Sequence, residues 1–324
     1  MKMRLIVTLV GATILMTLAS LWMGQQAYTW FPPQASAESE LIDDLFSFLT
    51  ALGTFIFLGV AGTLGYSVLF SRAGRYDYSD GPPIEGNITL EIVWTAIPFA
   101  LVIWIAAYSY QVYEQMDVRG PMEMVHLHMP ATMEAAYAEP MDDSLPDSLP
   151  DSPTAGLPSA RIAVQAKQWA WIFHYPGENG QDITSTELHL PVDHRIKLEL
   201  TSDDVLHGLY IPAFRLKQDI IPNKTIDFEF TPTRIGTYRL RDSQYSGTYF
   251  AAMQADVVVE SPQAYQSWLA DAANRAPSPA YNRAAFEYNR AAEQTIVRGW
   301  ETIPPAPPPI VNFAPKQAPD SPPV

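Results

Sequence analysis

Between residues 116 and 141 the chain carries six of its 11 methionines, together with His126 and His128. Thioether and imidazole both bind Cu(I), so this stretch could handle copper. The same residues would equally suit a loop that packs on a membrane or a partner. A second residue of chemical interest is Glu91, an ionisable group at the start of a long apolar run. A carboxylate there either belongs to a functional pathway or is held by the positive end of a helix. What is missing narrows the chemistry further. There is no cysteine, which excludes disulfides, iron–sulfur clusters, cysteine-type zinc sites, thiol nucleophiles and thiolate-bridged copper. No Ser/His/Asp arrangement, phosphate-binding glycine loop or carboxylate pair stands out. The chain shows no complete active site of its own.

The elements that would position these residues are legible in the hydropathy. The 324 residues include 20 Lys+Arg against 35 Asp+Glu, a net charge of −15 that argues against a nucleic acid partner. Leu45 to Phe70 and Ile92 to Tyr113 contain no charged residue. Each exceeds the roughly 20 residues that a helix needs to cross a bilayer. Neither shows the polar stripe of a long soluble helix. Trp94, Tyr108, Tyr110 and Tyr113 lie near the ends of the second run, where amphipathic rings favour the interface. This predicts a two-helix membrane hairpin over residues 45–113. A third apolar run, Leu5 to Met23, follows Lys2 and Arg4 and reads as either a cleaved signal or an extra membrane helix over residues 1–25. An Ala35-Ser36-Ala37 triplet resembles a cleavage site but lies well beyond that run. Arg72 and Arg75 between the later runs place residues 71–91 in the cytoplasm. Everything after Tyr113 then lies on the periplasmic side or in an equivalent lumen.

Residues 114–159 read as an acidic linker rich in Met and Pro, with Asp143-Ser-Leu-Pro, Asp147-Ser-Leu-Pro and Asp151-Ser-Pro forming a short repeat. From residue 160 to 260 the pattern becomes short and alternating. Ile196, Leu198 and Leu200 point to one side, as do Ile226, Phe228 and Phe230. About six or seven strands of this kind predict an antiparallel β-sandwich or barrel. Residues 261–324 read as one or two helices, with Ala264, Trp268 and Leu269 at helical spacing, and then a tail with nine prolines between Pro304 and Pro323. Such a tail is expected to be extended, wrapping a neighbour or staying mobile.

Local motifs add a resemblance. Leu90-Glu-Ile-Val-Trp-Thr-Ala-Ile-Pro98 resembles the opening of the second membrane helix in subunit II of haem–copper terminal oxidases. Gln168-Trp-Ala-Trp171 is similar to that family's aromatic strand, and the segment from Asp204 to Pro222 to the part that bears its first copper-ligand histidine. Tyr245-Ser-Gly-Thr-Tyr-Phe-Ala-Ala-Met253 resembles subunit II of the bo-type quinol oxidases, which lacks the copper. The tail from Trp300 to Asn312 resembles cyanobacterial oxidase subunit II instead. Both likenesses fit a cyanobacterial alternative respiratory terminal oxidase.

The resemblance implies a cupredoxin-like sandwich. In relatives that oxidise cytochrome c it carries a dinuclear copper centre held by two His, two bridging Cys, a Met and a Glu carbonyl. Aligned on Gly247, His207 keeps the first histidine and Met253 the methionine. Asp242 and Ser246 replace the cysteines, Gln244 the glutamate and Phe250 the second histidine. Without thiolates that centre is not expected to assemble, and no metal is expected in this chain. His207 and Met253, with Asp242 as a third ligand, could hold one ion or could serve the fold. Gln244 matches a glutamate that binds Mg²⁺ at the subunit interface, but brings no charge. Trp169 matches the tryptophan at which an electron arrives from cytochrome c, and otherwise reads as packing. Glu91 matches a glutamate at the mouth of a proton-uptake path.

The implied function is subunit II of a respiratory oxidase that reduces O₂ to water with proton translocation and is driven by quinol. Its haems and one copper would lie in subunit I, with subunit III and the lipid bilayer as further partners. The implied setting is a bacterial cytoplasmic or thylakoid membrane. Two alternatives stand beside it: an oxidase subunit fed by cytochrome c or another small donor, and a membrane-anchored assembly or copper-handling protein.

Overall fold

The computed structural model describes residues 2–72, 76, 86–116, 160–177, 180–292 and 302–315. Residues 117–159, with His126, His128 and the acidic repeat, lie outside them. The chain divides into two units, one of Met1–Pro32 and Glu40–Met116, the other of Pro33–Ser39 and Asp117–Val324.

Helices α1 (Lys2–Ala27), α2 (Ala37–Phe70) and α3 (Ile88–Met116) form the first unit. All three are long and apolar enough to cross a membrane. The hairpin expected from sequence is therefore a three-helix unit, because the Leu5–Met23 run also folds as a long helix. Their surfaces are apolar on every side, with Leu64, Trp94 and Phe99 exposed, which suits lipid rather than water. Gly24 lets α1 close on α2: a Cβ there would sit 3.0 Å from both the Ala51 Cβ and the Ser47 carbonyl oxygen. The Ser47 hydroxyl donates across that contact to the Gly24 carbonyl at 2.9 Å. Between α2 and α3, the Phe48 ring meets Trp104 and Tyr108 edge-on at 5.1 and 5.3 Å. Pro98 lies inside α3.

The second unit is a sandwich of two five-stranded sheets. One sheet has the order β3 (Asp182–Ser185), β2 (Ala170–Pro176), β1 (Ala160–Lys167), β5 (Ile196–Ser202), β8 (Ile226–Phe230). The other runs β4 (Leu188–Pro191), β10 (Gln254–Glu260), β9 (Gly236–Asp242), β6 (His207–Ile211), β7 (Leu216–Ile220). Alternation places Ile196, Leu198, Leu200, Ile226, Phe228 and Phe230 in the core between the sheets. The sandwich is not purely antiparallel. β1 pairs with β5, and β4 with β10, in parallel. Alternating hydrophobicity reports which face is buried and carries no information on a neighbour's direction. The chain also forms more strands than the six or seven expected, because β3, β4, β6 and β7 are only four or five residues long.

The Ala35-Ser36-Ala37 triplet is built into this sandwich. The Ala35 amide donates to the Ala213 carbonyl at 3.1 Å, and the Thr233 amide donates back to the Ala35 carbonyl at 2.9 Å. Next to it the buried Glu38 carboxylate accepts the Thr231 amide at 3.1 Å and pairs with Arg195 at 3.2 Å. Helices α4 (Pro262–Ala273) and α5 (Arg283–Ala292) follow the sandwich. The described part of the proline-rich tail then folds back on it. β12 (Ile310–Val311) pairs with β11 (Ser278–Pro279), so residues 302–315 are tied to their own domain. They find paired carbonyls and amides on their own domain.

Candidate functional site

At one end of the sandwich the turn before β6 brings Asp204 next to His207, and the end of β9 brings Asp242 to its other side. The His207 side chain is wholly buried, with Nδ1 2.8 Å from Asp242 Oδ2 and Nε2 3.0 Å from Asp204 Oδ1. Asp242 is held in turn. Its Oδ1 accepts the Gly208 amide at 2.8 Å and the Gln244 amide at 3.0 Å, and its Oδ2 accepts the Ser246 hydroxyl at 2.8 Å. Asp204 Oδ2 accepts the Gln168 amide at 2.7 Å. An imidazole with a carboxylate on each nitrogen is best satisfied as imidazolium, donating both ways.

The titration of the pair follows from this geometry. Burial works against a charge on His207, but the hydrogen bonds it donates to Asp242 and Asp204 outweigh it and raise its pKa above the ordinary 6.5. Burial also works against the Asp242 carboxylate, yet the bonds from His207, Gly208, Gln244 and Ser246 hold its pKa below the ordinary 3.8.

The remaining site residues surround this network. The buried Met253 lends its carbonyl to the Asp242 amide at 3.1 Å and to the Trp171 indole N–H at 3.3 Å. The Ser246 carbonyl accepts the Gln168 side-chain amide at 2.6 Å and the Trp169 indole N–H at 3.1 Å. Gly247 makes this approach possible: its φ is +115°, and a Cβ would fall 2.7 Å from Trp169 Cζ2. Gln244 spends its side-chain amide on Asp219 Oδ1 at 2.8 Å. Phe250 stacks edge-on with Tyr245 at 5.3 Å.

The structure thus brings His207, Asp242, Ser246 and Met253 together, with Gln244 attached through its backbone. Phe250 lies to the side, with its ring against Tyr245. Glu91 belongs to the other unit, in the first turn of α3, beside Ile88, Ile92, Thr95 and Phe99 in an open groove. Asp204 is the residue that sequence reasoning passed over. Its signal was the spacing Asp204-Val-Leu-His207.

These residues do not fit a dinuclear copper centre. There is no thiolate to bridge two ions, and both nitrogens of His207 are engaged by carboxylates. Among the described residues, no group of three or more His, Asp or Glu is placed to share a metal ion.

Comparisons with known proteins complete the description. Residues 20–112 match the family described as cytochrome c oxidase subunit II, transmembrane domain, and residues 182–261 match its periplasmic domain. Cytochrome c oxidase subunit 2 of Synechocystis sp. is 37% identical over 286 residues, covering 85% of this chain and 83% of that protein. Quinol oxidase subunit 2 of Bacillus subtilis is 28% identical over 252 residues, covering 76% of this chain and 65% of the relative. Alternative cytochrome c oxidase subunit 2 of Bradyrhizobium diazoefficiens is 30% identical over 144 residues, or 36% of this chain and 52% of that one.

Proposed function

The chain belongs to the cytochrome c oxidase subunit II family, and we propose that it serves a haem–copper terminal oxidase driven by quinol, without a dinuclear copper centre of its own. It is an integral membrane component of an oxidoreductase complex. The observation that carries the finer reading is His207, clamped between Asp204 and Asp242 in a chain with no cysteine. Ser246 completes the clamp through Asp242, so charge and hydrogen bonds tie the 242–246 segment to β6. This arrangement argues against an electron relay through copper in this domain. Similarity to a quinol oxidase subunit 2 supports the same direction.

In this reading subunit I holds the haems and one copper and reduces O₂ to water with proton translocation. Subunit III completes the complex. This chain contributes its helices to the membrane part, with Glu91 near the cytoplasmic mouth of a proton-uptake path. Its sandwich lies on the periplasmic or lumenal side of a bacterial cytoplasmic or thylakoid membrane. A second reading, in which cytochrome c is the donor, is favoured by the 37% identical relative that bears that name.

Oxygen uptake by the purified complex, with reduced quinol and reduced cytochrome c offered separately and metals measured on the same sample, tests the proposal. Uptake driven by quinol, with a single copper per complex, is expected. Cytochrome c oxidation at an equal or faster rate, or extra copper in the complex, would sink it.

A further inference from the structure

Strand β3 lies at the edge of its sheet, and an edge strand offers unpaired amides and carbonyls to any extended segment that reaches it. Residues 310–313 take up that offer. The Phe313 amide donates to the Thr184 carbonyl at 3.0 Å, and the Thr186 amide donates to the Phe313 carbonyl at 3.2 Å. These bonds form a parallel bridge between Phe313 and Ser185. On its other side the segment pairs antiparallel with β11, Val311 opposite Ser278 and Ile310 opposite Pro279.

The side chains of the segment meet different surroundings. Ile310 is exposed, whereas Val311 is wholly buried with Ile172 and Ala280. Asn312 is buried and uses both ends of its amide. Its Oδ1 accepts the amide and the hydroxyl of Thr184, both at 3.0 Å, and its Nδ2 donates to the Arg275 carbonyl at 2.8 Å. Aspartate in its place would lack that donor, and alanine would remove the partners of both Thr184 and Arg275. Phe313 enters a box of three walls. Its ring lies edge-on to His189 at 5.4 Å and to Trp268 at 5.6 Å, with the Arg275 guanidinium 5.0 Å from its centre. Two of these walls brace each other. His189 stacks flat on Trp268 at 3.8 Å, and its Nδ1 and Nε2 lie 2.9 and 3.2 Å from Glu260 Oε1 and Glu187 Oε2.

We propose that the β3 edge and the His189–Trp268 pair form a peptide-binding site, selective for an extended Val-Asn-Phe sequence and occupied by residues 311–313 of its own chain. Backbone pairing with β3 supplies strand addition, and the surroundings of the successive side chains supply the selectivity. The ligand class is a short extended peptide with a β-branched residue, then asparagine, then an aromatic ring. Every wall of the site precedes residue 281, so the chain can be shortened behind it without removing one. The site does not depend on which donor feeds the oxidase.

The full chain shortened to end at residue 309 is compared with the intact protein, both purified in the same detergent. A fluorescent peptide with the sequence of residues 308–315 is titrated with each and followed by anisotropy. Saturable binding to the shortened protein alone is expected. Peptides carrying Asn312→Ala or Phe313→Ala should bind about tenfold more weakly. Equal binding by both proteins, or by neither, overturns the site, as does equal binding of the substituted peptides. Asn312→Ala in the full-length protein keeps the chain length and gives a second reading by hydrogen exchange. The Thr184 and Thr186 amides are expected to exchange several-fold faster, while β5 stays unchanged. No gain at either amide, or an equal gain in β5, overturns the site as well.

Discussion

His207 joins the start of β6 to the end of β9 through charge. Wholly buried and facing two carboxylates, it acts as an electrostatic rivet. Removing one partner of a buried charged pair costs about 3–5 kcal/mol, because the other charge is stranded. His207→Ala is therefore expected to lower the stability of the sandwich by that amount, measured by denaturant unfolding of the purified chain followed in the near-UV. The pH dependence has a definite sign. The folded pKa of His207 is raised above 6.5, so its contribution is complete below that value and is lost as pH rises through the folded pKa. The folded pKa of Asp242 is lowered below 3.8, so its contribution is complete above that value and is lost as pH falls through the folded pKa. The pair is thus most stabilising between about pH 4 and 6.5. The unfolding midpoint should fall on the alkaline side in the intact protein, and fall less in His207→Ala. An equal alkaline fall in both would remove His207 as its cause.

Among the elements, the segment before α2 and the start of α4 are stabilised by small, separable devices. The buried Glu38 carboxylate accepts the Thr231 amide and pairs with Arg195, which ties residues 35–38 to the sandwich. Glu38→Ala leaves Arg195 with Glu229 at 3.4 Å and strips the Thr231 amide of its acceptor, an expected cost of roughly 1–3 kcal/mol. Ser261 caps α4 by accepting the Ala264 amide at 3.2 Å, and Ser261→Ala should cost about 1 kcal/mol. Both are read as shifts in the thermal midpoint. The two losses should add, since the devices share no partner. Core strands are less forgiving. Leu198→Ala empties space in the core between the sheets and should cost about 2–5 kcal/mol.

For the molecule as a whole, the expectation that follows from the carboxylate clamp is indifference to copper. An ion that bound only the folded sandwich would raise its unfolding midpoint. Added copper should therefore leave the midpoint of the sandwich unchanged, and an upward shift would mean that the His207 pocket opens to metal. Sequence alone determined which runs are long and apolar enough to span a membrane, because that depends on length and composition in one stretch of chain. It also determined the alternating strands at 196–200 and 226–230, whose period is local, and the lack of any thiolate, which needs only a count of cysteines. Contacts between residues distant in the chain emerge only in the folded molecule. Nothing at Asp242 announces that it lies 2.8 Å from His207, and no local period says that β1 runs parallel to β5. Ala35-Ser36-Ala37 reads as a processing triplet until Ala213 and Thr233 are found beside it. The proline-rich tail reads as loose because proline forbids helix and most sheet. Its place beside β2 comes from the Gln168 carbonyl, which accepts the Ala306 amide, and from the Ile172 side chain, which packs with Val311.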